Sequence, residues 1–272
     1  MILRKLLVCF FIFFVANTYA QNKLDSAKKS IKTSKTKTRG SNVPIHTSHE
    51  NAFSSMFAEA LAHVFLYTTY GVLVDFGELE SERHHNALLT KYPYFENSKG
   101  DFNFTANKNQ KTSRFVFANK FLKLSQRIKG NYLNGKLQFS KKFSVTGDFL
   151  YLNENNFRGL ESAYSHLSFL VNYHRVRTEK LNLWYGIGYR YVGSGVNKSG
   201  FSYQIGSQYF FAKPLSVDVT YLGAIVNESS IGHFQTNLNY HIKNKFVSVG
   251  LTNFKLGSEK FNGIAIGLGI YF

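Results

Sequence analysis

The most regular feature of the sequence is an alternation of apolar and polar side chains that begins near residue 112 and continues to the C-terminus. Successive side chains of a β-strand point to opposite faces, so a period of two predicts strands. Most of the alternating segments are 10 to 14 residues long, whereas soluble strands usually have about five or six residues and membrane-crossing strands need about nine to eleven. Ten strands are predicted, near residues 112–124, 130–139, 143–153, 162–176, 180–192, 199–211, 214–226, 231–243, 245–256 and 260–272.

The faces of these strands favour a barrel that crosses a membrane. In segment 181–191, LNLWYGIGYRY, leucine, isoleucine and tyrosine share one face, while Trp184 and Arg190 lie on the other. Segment 232–242, GHFQTNLNYHI, repeats this division. A soluble sandwich also alternates, but aromatic residues near the strand ends suit the girdles of an outer-membrane barrel. Such residues are Tyr189, Tyr191, Tyr209 and Phe211.

The predicted connections alternate between turns of two or three residues and longer loops. Outer-membrane barrels have short turns on the periplasmic side and longer loops outside, so both barrel ends are expected in the periplasm. Strand 112–124 alternates poorly, which leaves eight or twelve strands as alternatives to ten.

The N-terminus predicts export. Residues 1–20 combine a basic start, MILRK, with the apolar run LLVCFFIFFVA and end on a small residue, Ala20, as a cleaved signal peptide does. Cys9, the one cysteine of the chain, lies inside this segment. Disulfides, thiol catalysis and cysteine-ligated metals are therefore excluded from the mature protein.

Three segments separate the signal peptide from the barrel. Residues 21–47 carry much of the formal net charge of +17 and show no apolar period, so they are predicted to be a basic disordered linker. Residues 48–75 have apolar positions at helical spacing and predict an amphipathic helix. Residues 76–111 are predicted to be an irregular connection with one short strand at DFNF. No nucleic-acid recognition motif accompanies the basic charge, so nucleic acid is not an expected partner.

The signal peptide, alternating strands and terminal aromatic residue together resemble the small outer-membrane β-barrel proteins of Gram-negative bacteria. The stretch LVNYHRVRTEKLNLWYGIGYRYV, the later AKPLSVDV and the GIGLG ending are similar to a group typical of the Bacteroidetes without an assigned activity. The resemblance covers residues 112–272. It implies an outer-membrane location with a periplasmic N-terminal segment, contact with outer-membrane lipid, and insertion by the barrel-assembly machinery. The expected assembly signal is the set of alternate residues Phe272, Ile270, Leu268, Ile266 and Ile264.

The fold class predicted from these features is all-β: a transmembrane antiparallel up-and-down β-barrel of about ten strands in residues 112–272, preceded by a short amphipathic helix. Ten strands leave little free lumen, since open channels usually need about sixteen. A scaffold or a binding and anchoring barrel, with an unidentified envelope protein as a partner, is therefore the preferred function. A narrow or plugged channel and a lipid-modifying hydrolase are the alternatives.

Polar residues on the inward face are the candidate chemistry. His166 and Ser168 form an H-x-S pair that resembles the lipid A deacylase barrels, but the pair is predicted to face the lumen and has no identifiable acid partner. The simpler interpretation is a polar lining, in which the histidine and the serine satisfy each other's hydrogen bonds. Asp148 and Asp218 are likewise expected to form salt bridges and hydrogen bonds alongside Arg190 and Lys136. No HExxH motif, carboxylate cluster or nucleotide fingerprint occurs, so no metal or cofactor is predicted. The predicted lumen residues are Asp148, His166, Ser168, Arg190, Asp218, His233 and His241.

Overall fold

The computed structural model describes residues 23–33, 87–104, 113–155 and 161–272. The signal peptide and the helix predicted within 48–75 lie outside these ranges. The elements are the helix α1 (Lys23–Lys32), the short paired strands β1 (Leu88–Leu89) and β2 (Phe102–Asn103), and the barrel strands β3 (Arg114–Lys123), β4 (Ile128–Gln138), β5 (Phe143–Asn155), β6 (Glu161–Arg177), β7 (Leu181–Val192), β8 (Lys198–Ala212), β9 (Leu215–Val226), β10 (Ser229–Ile242), β11 (Lys245–Leu256) and β12 (Glu259–Tyr271).

The ten long strands close into a barrel. Each strand from β3 to β12 pairs antiparallel with the next, and β12 returns to β3 with Tyr271 opposite Val116. The predicted strand number, order and approximate bounds are confirmed, and the short strand expected at DFNF is β2. Among the described residues, no helix is both long and apolar enough to span a bilayer.

The two faces of the barrel are inverted relative to those of a soluble protein. Leu268 is 65% exposed on the outer face, while Arg190 and Ser168 are fully buried on the inner face. Soluble barrels place apolar side chains inside, because burying polar groups costs free energy unless they are hydrogen-bonded. Large apolar side chains exposed on the outer face include Phe117, Phe121, Phe169, Val171, Ile187, Ile225, Leu238, Val249, Leu251 and Ile266.

The connections differ from the prediction. Between β8 and β12 every connection has two residues, 213–214, 227–228, 243–244 and 257–258, so the predicted alternation of loop lengths is wrong in this half. Ser229 and Ser230, which are predicted to lie in a loop, are the first residues of β10 and pair with β9. Backbone pairing between strands does not require apolar side chains. Asn227 and Glu228 both have positive φ, 48° and 61°, as a tight hairpin turn with the twist of its strands requires.

The barrel has two mouths, which are named here for what lies there. The terminal mouth is the end where β3 begins and β12 ends. The α1 mouth is the opposite end, formed by connections 124–127, 193–197, 227–228 and 257–258. Helix α1 lies across it, with its N-terminus bonded to β5 and its C-terminus bonded to the turn between β9 and β10.

The prediction of a disordered linker is wrong for residues 23–32. Leu24, Ala27 and Ile31 recur at helical spacing and are fully buried, while the lysines face outward or sideways. Burial of the leucine and isoleucine side chains contributes about 1.5–3 kcal/mol each, and a helix this short is marginal without such packing. The apolar stripe has only three members in a lysine-rich segment, which is why composition concealed it.

Candidate functional site

The predicted lumen residues do face the lumen. Asp148, Ser168 and Arg190 are direct neighbours across β5, β6 and β7, so they form one row on the inner wall. Asp218 is half-buried on β9. The other six predicted residues are almost fully buried: Asp148, His166, Ser168, Arg190, His233 and His241.

The H-x-S pair is not joined by a hydrogen bond. Ser168 Oγ accepts a hydrogen bond from Arg190 Nε at 2.9 Å. His166 Nδ1 instead lies 3.3 Å from Tyr164 Oη. The expectation that the histidine and the serine would satisfy each other is therefore wrong. A nucleophilic serine needs a base within hydrogen-bond reach, and this arrangement does not supply one.

The two lumen aspartates are held by neutral donors. Asp148 accepts hydrogen bonds from the Tyr132 hydroxyl and the Asn134 amide. Asp218 Oδ2 accepts one from Asn237 Nδ2 at 3.4 Å. No ion pair within 4.0 Å joins either carboxylate to another residue of the described chain, so the predicted salt bridges to these aspartates are absent there.

The two predicted lumen histidines on β10 are distant from each other along that strand, and each contacts a hydroxyl group. His233 Nε2 lies 2.9 Å from Thr252 Oγ1, and its ring stacks on Phe254 with centroids 3.9 Å apart. His241 Nε2 lies 2.8 Å from Ser216 Oγ. No described histidine, aspartate, glutamate or cysteine belongs to a group of three or more that could hold a metal ion.

A cavity of about 110 Å³ occupies the middle of the lumen. Two ammonium groups line it, Lys120 from β3 and Lys136 from β4. Lys120 Nζ donates to Gln235 Oε1 at 3.1 Å, and Lys136 Nζ lies 5.0 Å from the centre of the Trp184 ring. The cavity wall is therefore polar and carries charge.

Inward glycines shape this wall by admitting neighbouring side chains. A β-carbon on Gly269 would lie 2.1 Å from the Phe246 ring, and one on Gly206 would lie 2.4 Å from Trp184. A β-carbon on Gly267 would meet the Lys120 side chain at 2.5 Å. The space left by the glycines of β12 is thus filled by side chains of β3 and β11.

Residues 87–104, which we call the terminal lid, cover the terminal mouth. Asp101 forms an ion pair with Arg114, with Arg114 Nη2 2.8 Å from Asp101 Oδ1 and both side chains 1% exposed. Asn182 Nδ2 donates to the other carboxylate oxygen at 3.2 Å. The lid is therefore fastened to β3 and β7 by a carboxylate buried inside the mouth.

The electrostatics of the lid favour an ionised Asp101. Burial alone would raise the pKa of this carboxyl, but the charges of Arg114 and Lys136, with hydrogen bonds from Asn182 and Arg114, hold the pKa below its ordinary value of 3.8. Nearby, Tyr94 donates its hydroxyl proton to the Leu215 carbonyl at 2.6 Å. Burial, followed by the charge of Asp101, raises the pKa of Tyr94 to about 12.

Helix α1 is held across its mouth by side chains of the barrel that cap both ends of the helix. The Glu154 carboxylate accepts hydrogen bonds from the backbone N–H groups of Lys23 at 3.3 Å and Leu24 at 2.8 Å. A negative charge here complements the N-terminal end of the helix dipole. At the other end Asn227 Nδ2 donates to the carbonyls of Ile31 and Lys32 at 2.8 and 3.0 Å.

Beneath α1 an apolar layer fills the mouth. It separates the helix from the polar lumen, because its members come from strands around the barrel and point inward. The layer consists of Leu122, Leu124, Ile128, Tyr132, Leu150, Leu152, Tyr164, Val192, Val196, Ala224, Val226, Ile231, Phe254, Leu256, Phe261 and Ala265, together with the buried face of α1.

Sequence reasoning did not identify the residues that fasten the mouths. Asp101 and Glu154 gave no signal, since their partners are 13 and 130 residues away. Lys120 lies at an inward position of β3. The segment RFVFANKFLK has apolar residues on both faces, so the sequence does not show which face points inward.

No protein-family model matches the sequence, and a search of curated proteins finds no match. Among solved structures, an outer membrane channel from Pseudomonas putida F1 is 8% identical, with 59% of this chain and 95% of that chain covered and a TM-score of 0.36. The KdgM porin in complex with disordered oligogalacturonate is 13% identical, with 58% and 99% covered and a TM-score of 0.36. The Yersinia pestis outer membrane protein Ail is 14% identical, with 59% and 98% covered and a TM-score of 0.34.

Proposed function

We propose that this protein is an integral outer-membrane barrel that acts as a closed scaffold for binding or anchoring. The supporting observation for the membrane is the outer face, where large apolar side chains such as Leu268 and Phe169 stay more than half exposed. So large an exposed apolar surface on a monomer marks an interaction with lipid or protein. Strands of 10 to 17 residues are long enough to cross the bilayer at a tilt.

The observation that supports a closed scaffold, rather than an open channel, is that both mouths of the barrel are covered. Helix α1 and an apolar layer fill one end, and the terminal lid is fastened inside the other end by Asp101 and Arg114. Between them the lumen contains a polar core around a small cavity. A general porin needs a continuous water-filled channel, which this arrangement does not support. The surfaces outside the barrel wall, α1 and the exposed connections, are then the places where an envelope protein would bind.

The orientation that follows differs from the sequence-based expectation for the N-terminal segment. We propose that the barrel's first and last residues face the periplasm, as they do in even-stranded outer-membrane barrels. Helix α1 lies at the opposite mouth and is then on the outside of the cell. A periplasmic location is therefore not proposed for residues 23–32. The signal peptide and insertion by the barrel-assembly machinery, with Phe272 as the terminal signal, remain part of the proposal.

Gel mobility and surface labelling test this proposal. The refolded barrel is expected to migrate faster on SDS gels when it is not heated, and equal mobility of heated and unheated samples would refute a stable barrel. The mature chain is predicted to lack cysteine, so single cysteines can be introduced. Lys29→Cys on α1 should react with a membrane-impermeant maleimide on intact cells. Lys243→Cys, in a turn of the terminal mouth, should react only after permeabilisation. The reverse pattern would contradict the orientation.

A further inference from the structure

The central cavity has cationic groups that no described acidic residue neutralises by contact. Lys136 Nζ lies over the Trp184 ring and has no hydrogen bond or ion pair within the described chain. Lys120 Nζ has three N–H donors, and one of them is hydrogen-bonded to Gln235. The pairing of Lys120 with Tyr132 and of Val116 with Lys136 places the two lysines four positions apart on the wall, about 13 Å along the strand direction. Two ammonium groups thus bracket the cavity.

The opposite side of the cavity has buried oxygen atoms that accept no hydrogen bond from the described residues. Asp218 Oδ1 and Asn237 Oδ1 are buried, and each lacks a hydrogen-bond partner. Asn237 is only 2% exposed, and both residues line the cavity. Buried polar atoms of this kind cost free energy unless a ligand or water satisfies them. The Trp184 indole N–H is a further buried donor without a partner.

We propose that this cavity binds a small carboxylate that also carries a hydroxyl or an ammonium group. The carboxylate would bind the Lys136 ammonium group, since charge-assisted hydrogen bonds are strong. The hydroxyl or ammonium hydrogens would satisfy Asp218 and Asn237. A volume of about 110 Å³ holds about four water molecules at their liquid volume of about 30 Å³ each, which is close to the size of lactate or alanine.

The terminal lid controls access to this site. Arg114 lines the cavity and also holds Asp101 of the lid, so a molecule entering from the terminal mouth must displace the lid. A ligand present while the barrel folds avoids this barrier. The proposal deepens the binding function proposed above and rests on it, in that it requires the folded barrel.

Trapping during refolding tests the proposal. The full mature chain is refolded with radiolabelled lactate, alanine or glycerol, separated from free label, and counted. Heat-dependent gel mobility of the same samples reports folding, so a failed barrel is distinguished from an empty cavity. Lactate or alanine should be retained at close to one molecule per barrel and glycerol should not. A preference between lactate and alanine identifies a hydroxyl or an ammonium group as the second determinant.

Variants locate the site. Lys136→Gln should reduce affinity for the retained acid at least tenfold, because it removes the ammonium group that has no other anionic contact. Lys129→Gln, on the exposed face of the same strand, is the matched control and should bind normally. Three results would each overturn the proposal: retention of neither acid by a correctly folded barrel, equal retention of glycerol, or unchanged affinity in Lys136→Gln.

Discussion

Replacing Asp101 with asparagine should open the terminal lid. The substitution keeps the shape of the side chain but leaves Arg114, which is 1% exposed, without its ion-pair partner. Breaking a buried ion pair from one side typically costs about 3–5 kcal/mol, because the remaining charge stays buried and uncompensated. Because Arg114 is buried only when the lid is closed, this free energy destabilises the closed lid relative to the open one.

The magnitude can be read as a rate of proteolysis. When opening is fast relative to cleavage, the cleavage rate follows the population of the open state. A loss of about 3–5 kcal/mol raises that population about a hundredfold to several thousandfold, at 1.36 kcal/mol for each factor of ten. Trypsin cleavage after Lys91, in the refolded barrel, is the assay.

Glu179→Gln is the matched control for Asp101→Asn. It removes the ion pair between Lys99 Nζ and Glu179 Oε2 at 2.6 Å, in which both side chains are substantially exposed. Exposed pairs contribute about 0–1 kcal/mol, so cleavage should rise about fivefold at most. Equal cleavage rates in Asp101→Asn and the unsubstituted barrel would refute the assignment of Asp101 as the fastening residue.

Four further predictions concern acid, the helix cap, the C-terminus and a glycine. Because the pKa of Asp101 lies below 3.8 in the closed lid, the stability it contributes is complete above that value and is lost as the pH falls below it. Pepsin digestion between about pH 5 and pH 2, compared with an unfolded reference peptide, should show the lid opening in acid, and equal relative cleavage across this range would contradict this. Glu154→Gln should destabilise α1 by about 1 kcal/mol and speed trypsin cleavage at its lysines, whereas no change would exclude the capping role. Deletion of Phe272 should reduce outer-membrane assembly while export continues, as cell fractionation would measure, and normal assembly would rule out the terminal signal. Gly269→Ala should lower the urea midpoint of unfolding, because the new methyl group overlaps the Phe246 ring, and an unchanged midpoint would mean that the ring moves without cost.

The barrel could be predicted from the sequence because its signal is repeated in every strand. The period of two assigns Ile187 and Tyr189 outward and Trp184 and Arg190 inward, and the structure places all four as expected. The weakly alternating segment predicted at 112–124 is also a strand, β3, and it closes the barrel by pairing with β12. Repetition compensates for weak signals in single strands.

The closures of the mouths could not be predicted, because they depend on contacts between segments that are distant in the sequence. The cap on α1 joins Leu24 to Glu154, and neither residue departs from its local pattern. Likewise, the period placed Ser168 and His166 in the lumen but gave no information on which partner each would bind. Arg190, from the next strand, donates a hydrogen bond to Ser168. The period of two predicts which face of the strand a side chain occupies. Its hydrogen-bond partner depends on the register between neighbouring strands, which the period does not give.

Spin labels along β11 test the central claim, a closed barrel embedded in a membrane, most directly. Nitroxides on cysteines at Val247, Val249 and Leu251 should be accessible to oxygen and protected from a polar nickel complex, as lipid-facing positions are. Labels at Ser248 and Thr252, which are 2% and 3% exposed, should be protected from both reagents. Access of the nickel complex to the outer positions would contradict the membrane location, and its access to the inner positions would contradict a closed lumen.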